Sequence, residues 1–212
     1  MTLNRIFFIL LYAENNFHIS RNFRIQRVGD IHWLFDKYRL TEIAFSIDEL
    51  VILNVSRENH GENWEEFLNH VKTISSNCFI PIAAGGGIRN QAQIIDLIKS
   101  GADKVVINSL LYKDESILQE FSKTFGRSTL VASLDYKKVE NGYALFSDFG
   151  KEKQDKVPVQ KLLQIIESYC GELIMNSIDR DGTGFGLDLE FVKLIPENFK
   201  IPLIISGGVG NF

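Results

Sequence analysis

A proline, a short apolar run and consecutive glycines follow one another twice in this chain. The first copy is Phe79-Ile-Pro-Ile-Ala-Ala-Gly-Gly-Gly-Ile-Arg-Asn90, and the second, 121 residues later, is Lys200-Ile-Pro-Leu-Ile-Ile-Ser-Gly-Gly-Val-Gly-Asn211. Each copy predicts a buried strand that stops where bare backbone must approach something closely. Glycines at a strand's exit expose amide N–H groups, and a neighbouring helix N-terminus adds positive dipole, so both loops favour phosphate.

Other segments repeat at nearly the same spacing. The residues around Glu49, before Val-Ile-Leu-Asn, are echoed around Glu172, before Ile-Met-Asn-Ser. Ile9-Leu-Leu-Tyr12 is echoed more faintly by Ser133-Leu-Asp-Tyr136. Self-similarity on this scale predicts two structurally equivalent halves. A ligand with two phosphates would match two equivalent glycine loops.

Short apolar strands alternate with amphipathic helical patterns along the whole chain, which is typical of a parallel α/β protein. Strands are predicted over about Ile6–Tyr12, Leu50–Val55, Ile80–Ala84, Lys104–Ile107, Leu130–Leu134, Leu173–Ser177 and Pro202–Ile205. Helices are predicted over about Ile31–Ile43, Trp64–Ser75, Arg89–Ser100, Ser116–Phe125, Val159–Tyr169 and Leu189–Ile195. Residues up to Gly29 after the first strand form a loop or ribbon, and Lys137–Lys156 form a second small ribbon with Asn141-Gly142 as its hairpin signal.

This order favours an eight-stranded TIM (β/α)₈-type barrel with a half-repeat over an open sheet. The prediction is a single barrel domain over residues 1–212, truncated after strand seven. About 250 residues are typical of that barrel, so one C-terminal strand-helix unit of roughly 40 residues is expected to be missing.

Composition limits the classes of function. The chain has 212 residues, of which 45% are hydrophobic and 24% charged, with a formal net charge of −4. It therefore predicts an ordinary soluble globular protein, with no general reason to expect nucleic acid. The apolar run after Arg5 is too short for a membrane span and lacks a cleavage site, so a cytoplasmic protein without a membrane partner is expected. Cys78 and Cys170 have no metal-type spacing, and neither a metal nor a cofactor is predicted.

In a (β/α) barrel the active residues follow the carboxyl ends of the strands. The polar and glycine residues at those ends here are Asn54, Gly85–Gly87, Asn108, Ser109, Asp135, Asp179, Asp181, Gly182, Thr183, Ser206, Gly207 and Gly208. Asp135 is either a turn or helix cap or a general acid or base at the barrel mouth. The run from Asp179 to Thr183 is either a plain turn or part of the site. Asn108 and Ser109 are either a cap for the fourth helix or ligand contacts.

Charged residues mark the opposite ends of four strands. They are Arg5, Glu49, Lys104 and Glu172. If they point inward, they form a ring of two acids and two bases at the barrel floor that neutralise each other. The alternative is four solvated strand starts.

Several motifs together give a specific resemblance over essentially the whole chain. They are Ile47-Asp-Glu-Leu-Val, Gly85-Gly-Gly-Ile, Gly101-Ala-Asp-Lys-Val-Val-Ile-Asn108, Ser177-Ile-Asp-Arg-Asp-Gly-Thr183 and Ser206-Gly-Gly-Val-Gly210. With these motifs the chain resembles the HisF family, the cyclase subunits of imidazole glycerol phosphate synthase. The resemblance implies a half-repeated barrel that takes ammonia from a glutamine amidotransferase (HisH-like) partner docked on its floor and passes it to a two-phosphate substrate at the mouth.

The resemblance also assigns roles to residues. It implies that Gly87, Asn108 and Ser109 hold one phosphate and that Gly182 and Gly208 hold part of the other. It further implies an ammonia gate that is formed by Arg5, Glu49, Lys104 and Glu172. It also implies that Asp103 lies near the partner interface. Asp135 matches the second of the family's two catalytic acids.

The chain departs from the family pattern in one half of the barrel mouth. The first catalytic acid falls on Leu11, the usual lysine of the next loop is replaced near Ile19, and the aspartate after the second strand is Asn54. A leucine transfers no proton, and acid–base participation is typically worth 10²–10⁴-fold. These departures resemble the divergent WbuZ branch, which is associated with glycosyl amidation in surface-polysaccharide synthesis.

Three functions therefore remain open. The first is ammonia delivery for amidation of a surface-polysaccharide sugar, with a sugar amidotransferase as a further partner. The second is a histidine-biosynthesis lyase that forms imidazole glycerol phosphate and AICAR, with Asp135 as its acid or base. The third is a phosphate-binding barrel without chemistry.

Overall fold

The computed structural model describes residues 5–56 and 62–210. They form two compact units, one made of residues 5–19, 25–56 and 62–106, and the other of residues 20–24 and 107–210. We call them unit 1 and unit 2. No helix in the described ranges is both long and apolar enough to cross a membrane.

Unit 1 alternates parallel strands with helices. Its strands and helices are, in chain order, β1 (Phe7–Ala13), β2 (Asn16–Arg21), β3 (Arg24–Gly29), α1 (Ile31–Asp36), α2 (Leu40–Ile43), β4 (Glu49–Asn54), α3 (Glu62–Asn77), β5 (Ile82–Gly85), α4 (Gln91–Lys99) and β6 (Lys104–Ile107). The parallel strands are ordered β6-β5-β4-β1, and β2 adds an antiparallel ribbon to β1. The ribbon predicted after the first strand is therefore confirmed.

Unit 2 continues the same pattern after a 3₁₀ turn at Ser109–Tyr112. Its elements are α5 (Glu115–Phe125), β7 (Leu130–Val139), β8 (Gly142–Ser147), β9 (Glu152–Gln154), α6 (Val159–Tyr169), β10 (Glu172–Ser177), α7 (Leu189–Val192) and β11 (Leu203–Ser206). The strands β7, β10 and β11 run parallel, while β8 and β9 extend β7 as an antiparallel ribbon. Parallel strands joined by helices in each unit confirm the predicted TIM-barrel-type α/β class.

Equivalent backbone hydrogen bonds support the half-repeat. In unit 1 the Leu50 amide donates to the Pro81 carbonyl at 3.0 Å, and in unit 2 the Leu173 amide donates to the Pro202 carbonyl at 3.0 Å. Farther along the same strands, Val55 donates to Tyr12 at 2.8 Å and Ile178 donates to Tyr136 at 2.9 Å. The faint echo between the segments that end at Tyr12 and Tyr136 is therefore a true structural equivalence.

Most of the core comes from the apolar runs on which the strand prediction rested. The fully buried side chains include Leu10, Ile52, Ala83, Val105, Leu134 and Leu173 on the strands, and Phe67, Leu97, Leu118 and Leu162 on the helices. Both cysteines, Cys78 and Cys170, are buried thiols. Burial of these side chains, at about 25 cal/mol per Å² of apolar surface, supplies the main stabilising free energy of each unit.

The first predicted helix is wrong as a continuous element. The segment Ile31–Ile43 is two short helices. The first ends at Asp36 with Lys37 as its C-cap, and Arg39, in a left-handed conformation with φ +56°, is the N-cap of the second. Leu34 and Leu40 still face the core on either side of the break, but Trp33 is 39% exposed. The apolar spacing therefore gave the buried face correctly and the continuity incorrectly.

Candidate functional site

Asp135 lies inside a long strand of unit 2, not after a strand's end. Strand β7 continues four residues beyond it into the ribbon with β8. The carboxylate is 9% exposed and accepts two side-chain amide hydrogen bonds, from Asn108 Nδ2 to Oδ2 at 2.9 Å and from Asn176 Nδ2 to Oδ1 at 3.2 Å. The alternative prediction for Asp135, a cap of a turn or of a helix, is therefore wrong.

The environment of Asp135 tunes its acidity. Burial raises the pKa of this carboxyl to about 6, although the hydrogen bonds from Asn176 and Asn108 act in the opposite direction. The nearby charge of Asp181 adds a smaller upward contribution to the pKa. A carboxyl that titrates near neutral pH can both accept and donate a proton, which is what general acid–base chemistry requires.

Asn108 does not cap helix α5, which is the fourth of the predicted helices. The N-cap of α5 is Asp114, whose side chain accepts the Ser116 amide at 2.9 Å, while Ser109 starts the preceding 3₁₀ turn and is exposed. The helix-cap reading of Asn108 and Ser109 is therefore wrong. The carboxamide of Asn108 instead orients Asp135 across 27 residues of sequence.

Unused hydrogen-bonding capacity is found on residues around Asp135. Asn108 Oδ1 and the Tyr112 hydroxyl are buried and have no hydrogen-bond partner within residues 5–56 and 62–210. Burial and the charge of Asp135 both raise the pKa of the Tyr112 hydroxyl, so it stays a neutral donor at physiological pH. A buried polar atom without a partner costs about 1–3 kcal/mol, and a polar ligand would remove that cost.

The two glycine loops have matching backbone geometry in their respective units. Gly86 has φ +102°, and a Cβ there would collide with the Asn54 backbone; Gly207 has φ +95°, and a Cβ there would lie 2.7 Å from the Ser177 carbonyl oxygen. Neither position can hold another residue without a shift of backbone. Bare backbone is thus required at equivalent places in both halves.

The surroundings of the glycine loop in unit 1 fit anion binding. Gly87 is exposed, has φ +71° and precedes α4, whose N-cap is Asn90. In unit 2, Ser206 ends β11 beside Asn176, and Gly208 is buried against Gly186 with φ +94°. Exposed amides followed by a helix N-terminus are an established arrangement for phosphate.

The aspartates after β10 form structural contacts. Asp179 Oδ2 accepts the Lys138 amide at 2.8 Å, and Asp181 Oδ2 accepts the Ser20 hydroxyl at 2.5 Å and the Phe23 amide at 2.8 Å. The loop is a turn closed by Thr183, which bonds to the Arg180 carbonyl through both its amide and its hydroxyl. A Cβ on Gly182 would lie 2.7 Å from the Arg21 Cα, so the glycine permits the close approach of residues 20–24. A substrate role for Asp179, Asp181, Gly182 and Thr183 stays a prediction.

Charged residues form a compact cluster at the amino ends of the parallel strands in unit 1. Glu49 is 3% exposed at the start of β4, and its Oε2 lies 2.6 Å from Lys104 Nζ and 3.8 Å from Arg5 Nη1. Two cations compensate the buried carboxylate, so Glu49 is not a solvated strand start, although Arg5 itself is exposed. In unit 2, Glu172 at the start of β10 is also buried, at 8% exposed.

Asp103 lies at the same end of unit 1 and is exposed. Its amide donates to the Ile82 carbonyl, and its Oδ2 accepts the Ile82 amide, both at 2.8 Å. This pair of bonds fixes the start of β5 to the start of β6.

The positions of the three family departures are ordinary in packing. Leu11 is half-buried, Ile19 is 36% exposed, and Asn54 is buried at the end of β4 with its Oδ1 accepting the Ser56 amide at 3.0 Å. Asn54 Nδ2 and Ser56 Oγ are buried without a hydrogen-bond partner in the described ranges. Unit 1 therefore also offers polar groups where its fourth strand ends.

Sequence reasoning missed Asn176 and Tyr112. Asn176 is a polar residue inside an otherwise apolar strand, and this was the one available signal that it faces a polar partner. Tyr112 gave no such signal, because it stands in a segment that was assigned no regular structure. In the described part of the chain, no three histidine, cysteine or acidic side chains are grouped as metal ligands would be.

Comparison with known proteins shows which family the chain belongs to. A sequence profile of the family "Histidine biosynthesis protein" matches residues 25–212. A protein of Parasynechococcus marenigrum (strain WH8102) named "Putative imidazole glycerol phosphate synthase subunit hisF2" is 37% identical over 100% of this chain and 78% of its own length.

Two further relatives carry the name imidazole glycerol phosphate synthase subunit HisF. The Alkaliphilus metalliredigens (strain QYMF) protein is 38% identical over 77% of this chain, which spans 65% of that relative's length. The Legionella pneumophila protein is 34% identical over 83% of this chain and 82% of its own length. This chain belongs to the HisF family of histidine biosynthesis proteins.

Proposed function

We propose that the chain is a HisF-type subunit that receives ammonia from a glutamine amidotransferase partner and delivers it to a phosphorylated acceptor. The observation that carries the proposal is the contrast between Leu11 and Asp135. The acid of unit 2 is buried, oriented by two amides and tuned to a pKa of about 6, whereas the equivalent position of unit 1 is an aliphatic side chain. Ammonia handling needs no proton transfer from that position, but two-acid ring closure does.

The amino ends of the strands support the ammonia side of the proposal. Lys104 and Arg5 hold the Glu49 carboxylate in unit 1, and Glu172 is buried at the corresponding strand start in unit 2. These four residues are proposed as the ammonia gate. Asp103, exposed at the start of β6, is proposed to contact a HisH-like amidotransferase.

The carboxyl ends of the strands support the phosphate side. In unit 1 the proposed phosphate contact is Gly87, which is exposed next to the start of α4. In unit 2 the proposed phosphate and substrate contacts are Asn108, Ser109, Asp179, Asp181, Gly182, Thr183, Ser206, Gly207 and Gly208. Asp135 is the proposed catalytic acid or base.

The favoured acceptor is a sugar of surface-polysaccharide synthesis, as in the WbuZ branch. Leu11, Ile19 and Asn54 remove an acid, a lysine and a second acid from one half, while the charged cluster around Glu49 is retained. A chain that still delivers ammonia but no longer closes the imidazole ring is expected to keep its ammonia-handling residues and to lose a catalytic acid. A sugar amidotransferase would then be a second partner.

One observation favours a second candidate, the ring-forming lyase of histidine biosynthesis. Asp135 keeps the buried, amide-oriented geometry of a working acid or base, which a pure conduit does not need. The two candidates differ in whether ring closure takes place.

The experiment is an ammonium-supported assay of the purified chain with the ring-forming substrate of imidazole glycerol phosphate synthase. The favoured function predicts no imidazole glycerol phosphate above the level of a Leu11→Ala, Asp135→Asn control. Formation of imidazole glycerol phosphate that is lost in Asp135→Asn would contradict the amidation role and establish the lyase.

A further inference from the structure

Leu11 and Asp135 occupy equivalent positions in the two halves. The following residue in each case, Tyr12 or Tyr136, accepts a backbone hydrogen bond from the residue just beyond the neighbouring strand. In the parallel ladders Leu11 pairs with Leu53, and Asp135 pairs with Asn176. The half that lost its acid at this position therefore has an aliphatic pair where the other half has a polar one.

The antiparallel ribbons reverse this difference. In unit 1 the residue opposite Leu11 on β2 is His18, and in unit 2 the residue opposite Asp135 on β8 is Phe146. Directly opposite residues of an antiparallel pair project from the same face, with Cβ atoms about 4.5–5.5 Å apart. Unit 2 has its polar group on the parallel strand, and unit 1 has it on the neighbouring ribbon strand.

The packing of unit 1 fixes which face this is. Tyr12 and Phe17, the next pair of the ladder, pack against α3, with ring centroids 5.3 Å from Phe67 for Tyr12 and 5.6 Å from His70 for Phe17. Successive strand residues alternate between faces, so Leu11 and His18 project from the face opposite α3. By the equivalence of the two halves, this face of β1 corresponds to the face of β7 from which Asp135 projects in unit 2.

Hydrogen bonding determines the tautomer of His18. The ring is 8% exposed, and its Nδ1 lies 3.1 Å from the Asn16 carbonyl oxygen, which can only accept. Nδ1 therefore carries the proton, and Nε2 presents a lone pair. Nε2 makes no hydrogen bond within the part of the chain that the structure describes.

Charges near His18 act on its protonation. Burial is the largest effect and lowers the pKa of His18, and the charge of Arg27 on the neighbouring strand acts in the same direction. The Asn16 carbonyl and the charge of Glu14 oppose that shift. The imidazole is therefore neutral at pH 7, and its Nε2 stays an acceptor.

We propose that His18 supplies, from the ribbon strand, the ligand-facing hydrogen-bond acceptor that Leu11 cannot supply from β1. Its Nε2 accepts a hydrogen bond from an N–H or O–H group bound at the carboxyl end of β1. That group belongs to the phosphorylated acceptor or is ammonia itself. The proposal rests on the proposed function, since it requires such a ligand at this end of the strands.

Nitrogen-15 NMR of the histidine rings in the full chain tests the proposal. At pH 7.5 the His18 spectrum should show the Nδ1–H tautomer. Imidazole glycerol phosphate added in one arm should move the His18 Nε2 resonance, and ammonium chloride at pH 9 in a second arm shows whether ammonia does so. The exposed His32 ring is the internal control and should stay unchanged.

Binding of imidazole glycerol phosphate to variants gives a second readout. His18→Leu should lower the affinity about tenfold, since one hydrogen bond is lost. His18→Gln, which keeps a side-chain acceptor, should recover most of that loss, and His32→Ala should bind as the unmodified chain does.

The outcomes separate the two proposals. If ligand moves the amide resonance of Gly87 or Gly207 but not the His18 ring in either arm, the His18 proposal is overturned and the proposed function stands. If neither the glycine amides nor His18 respond in either arm, the His18 proposal and the phosphate role of the two glycine loops are both overturned. An Nε2–H tautomer in the free chain would also overturn the His18 proposal.

Discussion

Asn108 Nδ2 donates to Asp135 Oδ2 at 2.9 Å and thereby holds one oxygen of a buried carboxyl whose pKa is raised. Asn176 holds the other oxygen at 3.2 Å. Each amide favours the ionised form, yet burial outweighs both of them and the pKa rises to about 6. This balance allows the residue to change protonation state near neutral pH.

Replacement of Asp135 by Asn should flatten the pH dependence of stability. A carboxyl whose pKa is raised on folding contributes stability below its unfolded pKa of 3.8 and loses it as pH rises through about 6. The free energy of unfolding of Asp135→Asn, relative to the unmodified chain, should therefore rise between pH 4 and pH 7 by about 3 kcal/mol. Urea unfolding at a series of pH values measures this difference.

The matched control is Asp179→Asn, because Asp179 is exposed and accepts a single backbone amide. This variant should not reproduce the rise in free energy of unfolding that is expected for Asp135→Asn. If the free energies of unfolding of Asp135→Asn and of the unmodified chain changed with pH in parallel, Asp135 would have the same pKa in the folded and the unfolded state. That result would contradict the prediction.

Asn176→Leu should raise the pKa of Asp135 further. The variant removes the hydrogen bond from Asn176, which is the largest of the effects that lower this pKa, and leaves Asn108 in place. Carbon-13 NMR of the Asp135 carboxyl follows the titration directly. An unchanged or lower pKa in the variant would mean that Asn176 does not stabilise the carboxylate.

Lys104→Met should destabilise unit 1 markedly. The ammonium lies 2.6 Å from the Glu49 carboxylate, which is 3% exposed, and its removal leaves that charge with less compensation. Loss of one partner of a buried pair costs about 3–5 kcal/mol, and the remaining Arg5 should reduce this to about 2 kcal/mol. Thermal or urea unfolding measures the effect.

The surface pair between Lys193 and Glu190 provides the control, since both side chains are about 70% exposed. Lys193→Met should change the free energy of unfolding by less than about 0.5 kcal/mol. The double variant Glu49→Gln, Lys104→Met should regain part of the loss. If Lys104→Met and Lys193→Met lowered the free energy of unfolding by the same amount, the cluster around Glu49 would be solvated in solution.

Alanine at Gly86 and at Gly207 should cost similar amounts of stability. Both glycines have positive φ, and in each case the new Cβ would meet backbone of the preceding parallel strand. Strain at positive φ alone costs about 1–2 kcal/mol, and the collision should bring each variant above about 3 kcal/mol. Gly142→Ala, with φ +113° and no atom within 4 Å of the new Cβ, should cost only the strain.

Comparison of the three alanine variants by urea unfolding checks this. Equal cost at Gly86 and Gly142 would show that the loop of unit 1 can move away from Asn54. A large cost at Gly86 with none at Gly207 would contradict the structural equivalence of the two glycine loops.

The sequence predicts the strands well because each is a short apolar run between polar or glycine residues. The predicted strand Lys104–Ile107 and the predicted helix Val159–Tyr169 match the structure at both ends. The break at Arg39 was not predictable from periodicity, because apolar spacing continues through a single left-handed residue. The local sequence pattern therefore predicts the helices and strands, but it does not predict a single residue within them that adopts an unusual backbone conformation.

The site was predictable only in part for a different reason. Asp135 follows the apolar run Leu130–Leu134, and the glycine loops follow strand ends, so both could be found from the sequence. The partners of the acids lie far away along the chain: Asn176 is 41 residues from Asp135, and Ser20 is 161 residues from Asp181. The opposition of His18 and Leu11 depends on ribbon register, which the turn at Glu14 and Asn15 sets and no sequence period reveals.

The most direct measurement is the rate of glutamine hydrolysis by a HisH-type amidotransferase with and without this chain. An ammonia-receiving subunit should accelerate hydrolysis about tenfold or more at equimolar concentration, as expected for a coupling free energy of about 1–3 kcal/mol between the subunits. Asp103→Lys should weaken that stimulation. Hydrolysis that proceeds at the same rate with and without the chain would contradict the proposed function and favour a phosphate-binding barrel without chemistry.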